Sequence, residues 1–114
     1  MSTEWIVVGV VAVGLVGYAI SLRRGRGSAT DARAWVEAGA LLVDVRTPGE
    51  FRSGHLDGAM NIPLQGLEGR LGEIGSGRKV VVYCHSGMRS RAAAGVLRRA
   101  GHEVLDLGPM TAWR

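Results

Sequence analysis

The stretch from Lys79 to Gly101, KVVVYCHSGMRSRAAAGVLRRAG, constrains the fold of this chain most strongly. Its first part, from Lys79 to Tyr83, is short, apolar and β-branched, which is typical of a buried strand. From Ser90 to Ala100 the apolar side chains recur at helical spacing, and Gly101 is a suitable end for that helix. A short loop therefore joins a buried strand to an amphipathic helix.

The loop CHSGMR, from Cys84 to Arg89, begins with the only cysteine of the chain. The first turn of a helix leaves backbone N–H groups unpaired, and the helix dipole places positive charge at the same end. Anions bind favourably at such a position. The thiolate of Cys84 should be stabilised there, and we expect Cys84 to act as a nucleophile.

The segments on either side of this unit alternate between predicted strands and helices. Strands alternating with helices indicate an α/β protein with a mostly parallel sheet, in which ligands bind beyond the carboxyl ends of the strands. We expect Trp35 and Trp113 to lie in its core. The other predicted elements are a helix at Asp31–Ala38 capped by Thr30, a strand at Leu41–Val45, a helical turn at Pro48–Arg52, an extended piece at Met60–Pro63, a surface helix at Leu64–Ile74, a strand at Glu103–Leu107 and a final helical turn at Pro109–Trp113.

Residues Trp5–Leu22, WIVVGVVAVGLVGYAISL, form an uninterrupted run without a charged residue. As a helix this run would be about 27 Å long, close to the roughly 30 Å of a bilayer core. A buried helix of a soluble domain and a cleaved signal peptide are the alternatives. The remaining domain is too small to cover such a helix, and Met1–Glu4 lacks the basic start of a signal peptide. The sequence therefore predicts one transmembrane helix through the lipid bilayer.

The basic residues that follow this run predict its orientation. Arg23, Arg24 and Arg26 come directly after it, and the positive-inside rule then places the N-terminus outside and the domain in the cytoplasm. We expect a single-pass protein of the cell (inner) membrane. Its predicted parts are a tail at 1–4, the transmembrane helix at 5–22, a basic linker at 23–29 and an α/β domain at 30–114.

Composition excludes several other classes of protein. A single cysteine precludes an internal disulfide framework, and neither a CxxC pattern nor a pair of histidines at ligand spacing is present, so we expect no metal site and no cofactor. The net charge is +4, yet aromatic residues are few and no nucleic-acid motif is present. We therefore expect no nucleic-acid partner.

Three blocks of the sequence together resemble the single-domain rhodaneses, a family of sulfurtransferases. These are DVRTPGEFRSGHLDGAMNIP (Asp44–Pro63), YCHSGMRS (Tyr83–Ser90) and the closing DLGPMTAW, in which Gly108-Pro109 replaces the usual Gly-Gly. The resemblance implies a three-layer α/β/α fold. It also implies that Cys84 takes a sulfur atom from thiosulfate or a persulfide donor and passes it to cyanide or a thiol acceptor.

The resemblance further implies that the loop after Cys84 forms the substrate-binding site. Successive backbone N–H groups would turn inward around the sulfur, with Gly87 permitting the backbone angles. Arg89 would bind the oxyanion end of a donor, with a surface or bracing arginine as the alternative. His85 would shape donor access, Ser86 would donate to the persulfide or fill the loop, and Met88 would form a wall of the mouth.

Four residues outside the loop are expected to support it. The resemblance suggests that Arg46 and Glu50 brace the loop and that Asp44 holds nearby backbone, with direct substrate contact by Asp44 or Arg46 as the alternative. His55 is expected to pin a turn.

Two alternative functions belong to different classes. A cysteine phosphatase of related layout needs the spacing C-x5-R, whereas Arg89 is the fifth residue after Cys84 and the sixth is Ser90, which favours sulfur over phosphate. A membrane-tethered sulfur-relay or binding module without thiosulfate turnover stays open, because the sequence does not reveal turnover.

Overall fold

The computed structural model describes residues 27–113 and contains ten helices and strands within that range. Their order alternates between the two types, as the sequence predicts. In chain order the elements are α1 (Ala29–Glu37), β1 (Leu41–Asp44), α2 (Pro48–Arg52), β2 (Met60–Asn61), two short 3-10 helices (Leu64–Gly66 and Glu68–Glu73), β3 (Lys79–Cys84), α3 (Met88–Arg99), β4 (Glu103–Pro109) and a last 3-10 helix (Met110–Trp113).

The four strands form one parallel sheet in the order β2-β1-β3-β4. The buried strand β3 lies at its centre, with Asp44 of β1 opposite Tyr83 and Pro109 of β4 opposite Cys84. An irregularity between Val82 and Tyr83 shifts the register of β3 against β4. The predicted parallel α/β sheet is thus confirmed, and the carboxyl ends of its strands meet at the edge where Cys84 lies.

Alternate residues of each strand point to opposite faces of the sheet and build two apolar clusters. On β3, Val80, Val82 and Cys84 belong to one cluster, while Val81 and Tyr83 belong to the other. The first cluster includes residues of α3 and of the segment before β3, and the second includes residues of α1 and of the last 3-10 helix. The sheet is therefore covered on both faces, which gives three layers.

The start of α1 differs from the prediction. Ser28, and not Thr30, caps the helix, because the Ser28 Oγ accepts a hydrogen bond of 3.1 Å from the Asp31 N–H. Ala29, which the sequence assigned to the linker, is already helical. The helix thus begins two residues before its predicted start at Asp31.

Two other predicted helices have different bounds. The prediction of one continuous surface helix at Leu64–Ile74 is wrong, because this segment forms two short 3-10 helices. Its three glycines lower the stability of an α-helix by about 1 kcal/mol each relative to alanine, while Leu67 and Ile74 still bury their side chains. The helix after the loop begins at Met88, two residues before the predicted start.

The predicted transmembrane segment, residues 5–22, lies outside the described residues, as do Met1–Glu4 and Arg23–Arg26. Within residues 27–113, no helix combines the length and the apolar character needed to cross a bilayer. Trp35 and Trp113, predicted as core residues, are partly buried and pack against the cluster that contains Tyr83.

A substitution at Leu97 measures how much the packing of α3 on the sheet stabilises the fold. The side chain of Leu97 is fully buried in the apolar cluster that contains Cys84. We expect Leu97→Ala to lower the free energy of unfolding by about 2–5 kcal/mol, from lost transfer energy and the remaining cavity. Urea titration of the full chain in detergent, followed by tryptophan fluorescence, measures this loss. Arg99→Ala, at an exposed position of the same helix, is the matched control and should stay within about 0.5 kcal/mol.

Candidate active site

Cys84 is the last residue of β3, and its sulfur lies where the strand gives way to the loop. The residue has no solvent-exposed surface. The Gly87 N–H donates a hydrogen bond of 2.9 Å to the Cys84 Sγ. Gly87 has a φ of 101°, a left-handed conformation that side chains disfavour, so a glycine at this position lets the N–H turn back toward the sulfur.

Gly87 is also the N-cap residue of α3, directly before its first helical residue, Met88. No side chain caps this helix, and the first N–H groups of an α-helix have no acceptor within it. The buried Ser90 Oγ donates to the Gly87 carbonyl at 3.1 Å and fixes the junction between loop and helix. The positive end of the helix dipole is therefore held close to the cysteine, which favours a negative charge on the sulfur.

The loop differs from the ring of N–H groups that the sequence predicts around the sulfur. Among the described residues, one backbone N–H donates to Sγ, that of Gly87. The reason is the early start of α3 at Met88, which leaves three residues between strand and helix instead of the predicted longer loop. The rest of the buried cluster that contains Cys84 is apolar.

The side chains predicted to surround the entrance lie at the surface. His85 and Ser86 are exposed, and Met88 is 79% exposed, the most accessible large apolar residue described. Cys84 itself has no accessible surface, so these three side chains are the parts of the loop that a donor meets first.

Arg89 pairs with Glu50, a residue 39 positions earlier in the chain. Its Nη1 and Nη2 donate to the Glu50 Oε1 and Oε2 at 2.6 Å and 2.9 Å, which makes the contact bidentate. Both side chains are about one-third exposed. The pair joins the first turn of α3 to α2 across the carboxyl edge of the sheet.

A capping box at the start of α2 holds Glu50 in place. The Thr47 Oγ1 accepts from the Glu50 N–H at 3.2 Å, and the Glu50 Oε1 accepts from the Thr47 N–H at 3.1 Å. The hydrogen bonds from Arg89, and secondly the one from Thr47, lower the pKa of Glu50 to about 2. Glu50 in turn raises the pKa of Arg89, with a smaller contribution from Cys84.

Behind the loop, Asp44 and Arg46 form a buried ion pair. The Arg46 Nη2 lies 2.7 Å from the Asp44 Oδ2, and the same nitrogen donates to the Gly54 carbonyl at 2.7 Å. The guanidinium of Arg46 also lies 5.8 Å from the centre of the ring of Tyr83. Tyr83 is the residue that precedes Cys84 in the chain. Burial raises the pKa of the Tyr83 hydroxyl, which accepts a hydrogen bond from the Leu56 N–H.

The structure therefore separates two groups of predicted supporting residues. Glu50 contacts the loop directly, whereas the hydrogen bonds of Arg46 lead to Asp44 and to the turn that contains Gly54. His55 lies in that turn, where its Nδ1 is 2.8 Å from the Phe51 carbonyl and its ring stacks on Phe51.

The sequence interpretation missed two features of the site. It did not foresee the bidentate contact between Glu50 and Arg89, although Thr47-Pro-Gly-Glu50 carries the capping-box pattern that fixes one partner. It also gave no role to Ser90 or Tyr83, because short polar and aromatic side chains next to a loop carry no distinctive pattern.

Within residues 27–113, no group of three histidine, cysteine or acidic side chains could hold a metal ion.

The low pKa of Glu50 predicts a dependence of stability on pH. Because the folded value of about 2 lies below the ordinary 4.5, the ion pair stabilises the fold above about pH 4.5. That contribution is lost as the pH falls from 4.5 through 2. We expect the difference in unfolding free energy between the parent protein and Glu50→Gln to be constant above about pH 5 and to shrink below it.

Urea titrations at a series of pH values measure this difference. Glu68→Gln is the control, because Glu68 is exposed and makes no ion pair among the described residues. A difference that stays constant down to pH 3 would contradict the pairing.

Comparisons with known proteins show which proteins this chain resembles in sequence. The chain is 43% identical over 75 residues to a protein of Allochromatium vinosum named Sulfurtransferase, covering 64% of this chain and 70% of that protein. It is 48% identical over 62 residues to the uncharacterized protein YqhL of Bacillus subtilis, covering 54% of this chain. The match spans about half of the length of YqhL, 49%.

Solved structures and a family description agree with these relatives. The human single-domain sulfurtransferase TSTD1 superposes with a TM-score of 0.67 and 25% sequence identity, covering 77% of this chain and 93% of that one. The family described as Rhodanese-like domain matches residues 28–114, which include the whole sheet and the loop after Cys84. This chain therefore belongs to the rhodanese-like domain family.

Proposed function

We propose that this protein is a membrane-anchored sulfurtransferase that carries a sulfur atom as a persulfide on Cys84. The observation that carries the proposal is the contact of the Cys84 sulfur with the Gly87 N–H at the start of α3. A sulfur atom in that position can hold a negative charge both before and after it accepts a second sulfur. Membership of the rhodanese-like family, and relatives named sulfurtransferase, support the same conclusion.

The reaction has two half-reactions, in which Cys84 is first charged and then discharged. With thiosulfate as donor, the thiolate attacks the outer sulfur, a new S–S bond forms, and the old S–S bond breaks. Sulfite leaves with the electron pair of the broken bond and the enzyme holds a persulfide anion. A thiol or cyanide then attacks the outer sulfur of the persulfide, and the Cys84 thiolate is regenerated.

Each residue of the loop has a part in this scheme. Cys84 is the nucleophile, and the Gly87 N–H stabilises the anionic sulfur. The exposed side chains of His85, Ser86 and Met88 form the surface that a donor or acceptor meets first. Arg89 fixes the beginning of α3 through Glu50.

The proposal assigns residues 5–22 to a single transmembrane helix and the domain to the cytoplasmic side. The uncharged run of these residues and the arginines that follow it support this assignment. Such a tether would keep the domain within reach of donors or acceptors at the membrane.

A sulfur relay between proteins, without thiosulfate turnover, is a second candidate function. The contact between Glu50 and Arg89 favours it, because an arginine already bound to a carboxylate is less available to a free oxyanion. The same persulfide on Cys84 would form in either case, so the two candidates differ in donor and not in chemistry.

The persulfide is directly testable by intact mass. Treatment of the full chain with thiosulfate or glutathione persulfide should add one sulfur, about 32 mass units, and cyanide should remove it. Cys84→Ser should gain no mass and should lower sulfur transfer at least about a thousandfold, because the nucleophile is absent. Transfer by Cys84→Ser at the parent rate would remove this assignment.

The orientation is testable with a cysteine at an exposed position. Ser76 lies in an exposed turn before β3, so Ser76→Cys in the Cys84→Ser background gives one accessible thiol. In sealed inside-out vesicles a membrane-impermeant maleimide should label it, and in right-side-out vesicles it should not. Labelling from the outer face alone would overturn the cytoplasmic assignment.

A further inference from the structure

We propose that Glu50 sets the donor preference of this site by occupying the guanidinium of Arg89, which disfavours thiosulfate relative to persulfide donors. The inference rests on the proposed sulfurtransferase function and adds to it the class of donor. It makes Glu50 a specificity-determining residue and not only a brace of the loop.

The geometry of the pair leaves little of the arginine for another anion. Two nitrogens of Arg89 donate to the two oxygens of Glu50 at 2.6 Å and 2.9 Å. This is the fork-to-fork arrangement with which arginine binds carboxylates and phosphates. Glu50 therefore takes the place that the oxyanion end of a donor would occupy on Arg89.

The carboxylate is held in place and stays ionised. The Glu50 Oε1 also accepts from the Thr47 N–H at 3.1 Å, and the backbone of Glu50 is tied to the Thr47 hydroxyl. The pKa of Glu50, lowered to about 2 by Arg89 and Thr47, keeps the charge throughout the neutral range. A donor that needs Arg89 must therefore displace a fixed carboxylate.

This competition affects the two classes of donor differently. Thiosulfate is a dianion that approaches a thiolate and releases sulfite, so it benefits from a free cation beside the sulfur. Arg89 is the one arginine within the six residues Cys84–Arg89, the loop that begins at the nucleophile. In a persulfide R–S–SH, the thiolate attacks the outer sulfur, the S–S bond breaks, and R–S⁻ leaves with the electron pair. The S–SH group that reacts carries no oxyanion, so sulfur transfer from a persulfide does not require a free Arg89.

Glu50→Gln tests the inference with little disturbance of the fold. Glutamine at this position of a capping box still accepts the Thr47 N–H, but it no longer neutralises Arg89. The ratio of kcat/KM for thiosulfate to kcat/KM for 2-hydroxyethyl persulfide, a donor without a carboxylate, should rise at least about tenfold, mainly through a lower KM for thiosulfate. Glu50→Asp, whose shorter side chain weakens the bidentate contact, should shift the ratio in the same direction by less.

Glu73→Gln is the matched control. Glu73 forms the same kind of bidentate pair with Arg70, at 2.6 Å and 2.9 Å, on a 3-10 helix outside the loop. Its loss should change the ratio less than about twofold. The double variant Glu50→Gln/Arg89→Gln should lose the gain of Glu50→Gln, because the released cation is absent.

The outcomes separate the inference from the proposed function. A rise in the ratio that depends on Arg89 supports the inference. An equal loss with both donors would make Glu50 a brace only, and an unchanged ratio would also overturn the inference while the sulfurtransferase function stands. A parent protein that accepts sulfur from neither donor would contradict the proposed function itself, and the inference with it.

Discussion

The hydrogen bond from the Gly87 N–H to the Cys84 sulfur joins the end of the central strand to the beginning of a helix. Three conditions make it possible. The strand β3 must be buried on both faces, Gly87 must adopt a positive φ, and α3 must begin at the next residue. Each condition comes from the residue types of the stretch KVVVYCHSGMRS, in which a β-branched strand leads through a glycine into a helix. The environment of the sulfur is thus a product of local sequence held by the sheet.

Long-range contacts complete what local sequence begins. Glu50 follows β1 and Arg89 follows β3, and these strands are neighbours in the sheet with Asp44 opposite Tyr83. Parallel pairing therefore brings the two loops to the same edge. The capping box that starts α2 orients the same carboxylate that binds Arg89. One glutamate thus stabilises the start of a short helix and binds the arginine in the first turn of α3.

The sequence was informative where a pattern has a direct physical cause. The strands at Leu41 and Lys79 follow from apolar β-branched runs, and the turn at Pro48–Arg52 follows from a proline at the first helical position. The segment Leu64–Ile74 was misinterpreted because its leucine spacing suits an α-helix, while its three glycines weaken one. The partner of Arg89 was not predictable, since spacing within a loop says nothing about a side chain 39 positions away. The start of α3 at Met88 was not predictable either, because it depends on the left-handed conformation that Gly87 adopts.

A backbone contact ties the first described residue to the sheet. The Gly27 N–H donates to the Asp106 carbonyl on β4 at 2.8 Å, and β4 lies beside the strand that ends in Cys84. Gly27 is therefore held two strand spacings, roughly 10 Å, from β3. A change at Gly27 would therefore reach the strand that carries Cys84 only through β4.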